Sequence, residues 1–254
     1  MKRNLSVRLA QSENEVIQAL SLRYDVFNSE LKEGLPESAD TRLDRDEYDD
    51  YCQHLIVIDR DEMDRVVGTY RIMTGKRARA SKGFYSSNEF DLSSIHNLKD
   101  EVMEIGRSCV HRGYRDGSVI NLLWQGLADC IIDMNVRYLM GCASLHSTDP
   151  VFASELYAYL KEKNCIMDDK IVKIKPMCGY EIPGFISNYE ISDIKSLQKR
   201  IPTIIKGYLR AGAKICGLPA LDPVFKTVDV FVLFDAEKIA ARYNRKFILK
   251  KISV

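Results

Sequence analysis

The sequence predicts one compact α/β unit in which short strands alternate with amphipathic helices. Three observations carry that prediction. β-rich runs and segments of helical period succeed one another along the chain. Near 102–134 a strand, a glycine-containing basic turn and a helix follow in direct succession. No internal repeat or low-complexity linker interrupts the 254 residues, a length ample for one large domain with a buried core.

The elements follow in order. Leu5 to Leu9 alternates apolar and polar residues like a strand, and Ser12 then caps a helix on which Val16, Leu20, Phe27 and Leu31 recur at helical spacing. Lys32 to Tyr51 is acidic and polar and contains Gly34 and Pro36, which suits an ordered loop over a site. His54–Asp59 and Val66–Met73 are β-rich runs joined by the polar segment 60–65, a hairpin. Val102–Val110 reads as a strand, and the turn Arg112–Ser118 leads into a helix with Leu122, Leu123, Leu127, Ile131 and Met134 as its apolar stripe. Arg137–Leu145 is then a strand, Val151–Lys161 a helix and Ile171–Lys175 a short strand. Leu197–Ala211 is a helix broken or begun near Pro202, Val228–Phe234 is a late strand, and a last helix starts near Ala236. The whole of 1–254 reads as a single domain, with a core over about 5–165 and a C-terminal extension over about 166–254.

Bulk properties exclude several classes. With 37 basic against 36 acidic residues the formal charge is +1, so no global field favours nucleic acid and any anion site must be local. Seven scattered cysteines without CxxC spacing point to a reduced, cytoplasmic compartment. No stretch approaches the roughly 20 apolar residues a bilayer span requires, so any membrane contact is peripheral. The histidines, His54, His96, His111 and His146, show no metal-ligand spacing with the cysteines, and no metal is expected.

Four pieces stand out: Arg23-x-x-x-Phe27 on the first helix, Asp46-x-x-Asp49 in the acidic loop, Arg71 on a strand, and Glu104-x-x-Arg107 on the central strand. In this order and spacing they resemble the acyl-homoserine-lactone synthases. Glu33 stands where those synthases carry a tryptophan after the phenylalanine, and the C-terminal third differs. The segment Ile201–Ala213, followed by Leu221–Val230, instead resembles a sister family, the ornithine-lipid-type amino-acid N-acyltransferases, some of which bear the label hemolysin. The resemblance covers about residues 5 to 247.

It implies a GCN5-related N-acetyltransferase-like fold, a mixed central sheet flanked by helices with an extended C-terminal region. It also implies attack by an amino-acid amine, as of ornithine or glycine, on an acyl-phosphopantetheine thioester without a covalent enzyme intermediate. Glu104 is then the candidate general base, with Arg107 and Arg71 beside it. Arg23, Phe27, Asp46 and Asp49 are candidates for binding the acceptor, the aspartates by meeting its ammonium group. Backbone N–H groups near Cys109 and Val110 would face the thioester oxygen, and Arg112, Arg115, Gly117 and Ser118 the pantetheine phosphate. The segment 112–118 fits the usual CoA-binding loop poorly, which tilts the donor from acyl-CoA towards acyl carrier protein. No permanently bound cofactor is implied.

Simpler readings stand beside these. Glu104 and Arg107, three apart, point to opposite faces of a regular strand, unless a bulge at Gly106 re-aims one of them. Phe27 reads as core, Cys109 as a small buried residue, and the aspartates as a solvated loop. His54–Asp59 and His111–Asp116 both match the H-x-x-x-x-D pattern of glycerolipid O-acyltransferases. Acyl-homoserine-lactone synthesis and a non-catalytic acyl-thioester-binding module are the alternatives on the same fold. A basic rim, Lys199, Arg200, Lys206, Arg210 and Lys214, borders an apolar helix face and suits a membrane surface or an acidic carrier protein.

Overall fold

The computed structural model describes residues 3–95, 98 and 102–236. They form two compact units, Met1–Gly83 with Met103–Asn135, and Phe84–Val102 with Val136–Val254.

In the first unit β1 (Leu5–Leu9), β2 (Gln53–Asp59), β3 (Arg65–Thr74) and β4 (Val102–Val110) lie side by side, each antiparallel to the next. The β2–β3 hairpin turns through Arg60–Glu62, with Met63 and Asp64 in the left-handed region. α1 (Glu13–Tyr24) starts where the Ser12 hydroxyl accepts the Glu15 N–H, as the sequence leads one to expect. It widens into a π-helical stretch, Asp25–Leu31, ended by Lys32 at φ 62°. Its Ala19, Leu22 and Val26 pack on Ile56, Ile58, Val66 and Cys109, with Phe27 at the margin. The acidic loop is ordered and carries one helical turn, Ser38–Thr41, and the Asn28 amide donates to the Leu35 carbonyl to hold its start.

α2 (Ser118–Asp133) covers the opposite face of the sheet. It buries Val119, Leu123, Gly126, Leu127 and Cys130, sharing only Leu123 and Leu127 with the stripe expected from spacing. The contact line follows the backbone at Gly126, where an added Cβ would stand 2.7 Å from Val7 and 2.8 Å from Leu55. A glycine thus sets the buried face, a signal that hydrophobic periodicity cannot register.

In the second unit β5 (Tyr138–Leu145) and β6 (Thr227–Asp235) pair antiparallel from Val228 opposite Leu145 to Asp235 opposite Tyr138. Lys214–Ile215 and Ala220–Asp222 add to β6, and a parallel bridge joins Ile166 to Ile215. α3 (Pro150–Glu162) is capped by Asp149. The helix expected over Leu197–Ala211 is two, α4 (Ile194–Arg200) and α5 (Thr203–Ala211), parted at Pro202, which cannot donate to a continuous helix. The strand expected at Ile171–Lys175 does not form. Asp168 closes a turn on the N–H groups of Lys170, Ile171 and Val172, and only Lys175–Pro176 pairs, with Phe90–Asp91. The apolar alternation there is real, since Val172 and Ile174 enter the core beside Phe90 and Phe231, but it serves packing rather than a ladder. The helix expected from Ala236 onward, and His96, lie outside the described residues apart from Ala236 itself. No helix among the described residues is long and apolar enough to cross a membrane.

Candidate active site

Cross-strand register gathers the singled-out side chains on one face. Arg71 on β3 stands opposite His54 on β2 and Gly106 on β4, and Met73 stands opposite Glu104. Directly opposed residues share a face, and residues two apart on a strand do as well. His54 alternates with Ile56, which packs under α1, so His54, Arg71 and Glu104 all belong to the α1 side of the sheet. Each is buried, Glu104 to 7% exposure.

Arg23 enters this face from the last turn of α1 and is fully buried. Its Nε donates to Asp44 Oδ1 at 2.8 Å, and its Nη1 and Nη2 donate to the two oxygens of Asp49 at 2.6 and 3.1 Å. Arg71 Nη1 donates to Asp46 Oδ1 at 2.6 Å and lies 3.4 Å from Asp49. Arg107 Nη2 donates to Asp46 Oδ2 at 3.2 Å and its Nε lies 3.7 Å from Asp44. Backbone bonds fix the loop in turn, from Asp46 N–H to Asp49 and from Tyr48 N–H to Asp46. Against its burial, Arg23 and Arg71 hold the Asp49 carboxyl far below the usual carboxylate range, and against burial too Arg71 and Arg107 lower that of Asp46. Desolvating so many charges is repaid only because each guanidinium meets carboxylates in good geometry.

The bulge anticipated at Gly106 is present, one residue on. Thr69 pairs with Cys109 but Arg71 pairs with Gly106, so two steps on β3 match three on β4. Arg107 takes φ 50°, a left-handed conformation that costs a non-glycine residue about 1–2 kcal/mol. That turn re-aims Arg107 to Asp46 and Asp44 on the side where Glu104 already points, and it lets Glu104 and Cys109, five apart, share a face.

His54 was singled out only as half of an O-acyltransferase pattern, and the structure separates both such pairs. His54 lies 3.8 Å from Asp49, whereas Asp59 accepts from the Tyr114 hydroxyl. His111 accepts from Gly113 N–H while Asp116 binds Ser118. Burial and the nearby Arg23 push His54 down to about 4. A folded-state value below that of the unfolded chain means the unfolded state takes up the proton first. His54 therefore subtracts stability as pH falls from about 6.5 towards 4, by up to about 1.4 kcal/mol per pH unit. Asp229, pushed by burial up to about 6, works in the opposite sense over part of that window. The difference between wild type and His54→Gln isolates the histidine: urea titrations should show the two diverging below pH 6.5, with the variant gaining. Parallel pH profiles would remove this role.

The remaining predicted residues form no ion pair within the cluster, although Cys109 lies close enough to feel Arg23 and Asp44. Cys109 is core, its thiol pushed far up by burial, and it and Val110 pair with Thr69 and Gly68. Arg112 is exposed on a 3-10 turn. Arg115 binds Glu30 and the Val110 carbonyl. Gly117, at φ 94°, opens α2, and the Ser118 N–H and hydroxyl both donate to Asp116. Phe27 packs on the α1 core and takes no part in the ion network.

Sequence reading missed Asp44, passing over it as a neighbour in an acidic run, yet it is fully buried on Arg23. The signal was available: an arginine on the buried side of a helix needs more than one carboxylate oxygen to satisfy its donors.

An acetyltransferase (GNAT) domain model matches residues 22–125. Over 251 residues the chain is 34% identical to the L-ornithine N(alpha)-acyltransferase of Agrobacterium fabrum, covering 94% of this chain and 83% of that one. FeeM, an N-acyl amino acid synthase from uncultured soil microbes, matches with a TM-score of 0.54 at 8% identity, over 94% of this chain and 95% of that one. BjaI, a CoA-dependent acyl-homoserine lactone synthase, matches at 0.52 and 15%, over 95% and 89%. At such identities the two structures establish the fold, which is the GCN5-related α/β fold the motifs imply.

Proposed function

This chain belongs to the family of the L-ornithine N(alpha)-acyltransferases, and we propose that it acts as one acyltransferase domain moving a fatty acyl group from acyl carrier protein to the α-amine of ornithine. The product is a monoacylated amino acid of the kind from which phosphorus-free aminolipids are built.

The buried face around Glu104 carries this reading. An ammonium cannot attack a thioester, so the acceptor must lose a proton, and Glu104 is the carboxylate held in place to take it, directly or through a water. Asp46 and Asp49 have a different task from the one their sequence suggests, and Asp44 shares it. They are engaged by Arg23, Arg71 and Arg107, and so they set the arginines rather than greet the acceptor. Counting these seven side chains, three positive and four negative charges leave a net −1, which favours a cationic amine over a neutral or anionic acceptor. Support for a carrier-protein donor comes from the start of α2. Asp116 occupies the Ser118 donors and Glu30 takes Arg115, which leaves few donors there for any phosphate and suits the single phosphodiester of a carrier protein better than the diphosphate of CoA. Lys199, Arg200, Lys206 and Arg210 on α4 and α5 support docking of an acidic carrier at the inner membrane face.

The test is mass spectrometry of lipid extracts from cells expressing the protein, followed by assays of the purified enzyme with acyl carrier protein and acyl-CoA donors. A new N-acylated ornithine is the expected product, formed from the carrier-protein donor at higher kcat/KM. No acylated amine would sink the enzyme reading, and a preference for acyl-CoA would overturn the donor alone.

A further inference from the structure

In the second unit Glu89, Cys142 and Asp229 converge, each offering one ligand atom, with all three atoms within 4.8 Å of one another. Glu89 follows the turn Tyr85–Asn88, Cys142 lies on β5, and Asp229 lies on β6 opposite Ser144, two residues from Cys142, so the sulfur and the carboxylate share one face of the pair. Glu89 is 2% exposed and Asp229 4%. Neither oxygen of Glu89 has a hydrogen-bond partner, although the side chain is aimed into the cluster. Asp229 accepts from the Thr227 hydroxyl at 2.9 Å, and Ser86 Oγ lies 3.3 Å from the Cys142 sulfur. Asp222, also buried, spends Oδ1 on the N–H groups of Val224 and Phe225. Among the described residues no arginine or lysine forms an ion pair with Glu89 or Asp229.

Two adjoining buried carboxyl groups without a counter-charge are costly unless a proton or a cation joins them. The sulfur decides between the candidate cations. A thiol is a poor acceptor for an ammonium N–H but, as a thiolate, a strong ligand for a borderline-soft ion. Zinc bonds sulfur at roughly 2.3 Å and carboxylate oxygen at roughly 2.0–2.2 Å, which sets tetrahedral ligand atoms about 3.5 Å apart, so atoms lying within 4.8 Å share one ion after drawing together by up to about 1 Å. We propose that Glu89, Cys142 and Asp229 form a divalent metal site of the zinc type, with three protein ligands. Histidine–cysteine spacing could not reveal it, because the ligands include no histidine and come from three distant segments.

The test uses the full-length protein, stripped with a chelator and dialysed against Zn²⁺. Elemental analysis should find one ion per chain. Glu89→Gln and Asp229→Asn should each abolish stoichiometric binding while melting cooperatively, since the amides copy the shape of protonated carboxyls. With Co²⁺ the wild type should show a sulfur-to-cobalt charge-transfer absorption that Cys142→Ser lacks. Substoichiometric zinc in the wild type would overturn the site, as would binding that survives both carboxylate variants or a cobalt spectrum indifferent to Cys142→Ser. A rise in Tm with ornithine or 1,4-diaminobutane and none with Zn²⁺ would assign the carboxylates to an ammonium group and refute the metal.

Discussion

Glu104→Gln is expected to lower kcat for ornithine acylation by about 10²–10⁴-fold while leaving KM for the acyl carrier near its wild-type value. The substitution keeps the shape of the side chain but removes its negative charge and with it its capacity to accept a proton. The loss should therefore appear in the chemical step, and the urea midpoint should move little. Steady-state kinetics on the purified enzyme decide it, with single-turnover measurements to separate chemistry from product release. A loss below about fivefold would show that the amine is deprotonated elsewhere, and a collapse of the folded state would return Glu104 to a purely structural role.

The second large effect is on stability. Arg23→Met strands Asp44 and Asp49 in the interior with their principal counter-charge gone, and such a broken buried pair costs about 3–5 kcal/mol. Urea denaturation measures it. The double variant Arg23→Met/Asp44→Asn should lose clearly less than the sum of the two single changes, because removing both partners spares the isolated charge. Additive losses would mean that the contact contributes little, however short its distances. Arg71, which lies near Asp49 as well as Asp46, would be drawn towards the unneutralised Asp49 in the single variant, so activity should fall along with stability.

Local chemistry made much of the fold legible. Ser12 announced the start of α1, Pro202 the break between α4 and α5, and strict alternation gave β1 to the residue. What escaped detection depends on neighbours remote in the chain. The buried stripe of α2 is set by Val7 and Leu55 meeting Gly126, and the turn at Asp168 overrides a sequence with strand-like alternation. In the site, the resemblance to a family pattern singled out Arg23, Asp46, Asp49, Arg71, Glu104 and Arg107 as a group, because a recurrent order of charged residues survives without coordinates. Spacing did not reveal their division of labour. That two aspartates brace arginines, and that Asp44 completes the brace, follows from burial and donor counting in three dimensions.

The conformation of Arg107 has a bearing on how relatives should be aligned. Upstream of it even-numbered residues of β4 look towards α1, and downstream of it odd-numbered ones do, so the strand holds two reading frames of opposite parity. A relative lacking one residue at this point would pair regularly and keep both Glu104 and the counterpart of Cys109 on the α1 side, whereas a relative of equal length without the bulge would carry that counterpart to the α2 side. Alignments should therefore be anchored separately at the Glu104 and Cys109 positions, with a one-residue gap between them treated as loss of the bulge that re-aims Arg107 rather than as a change of surface.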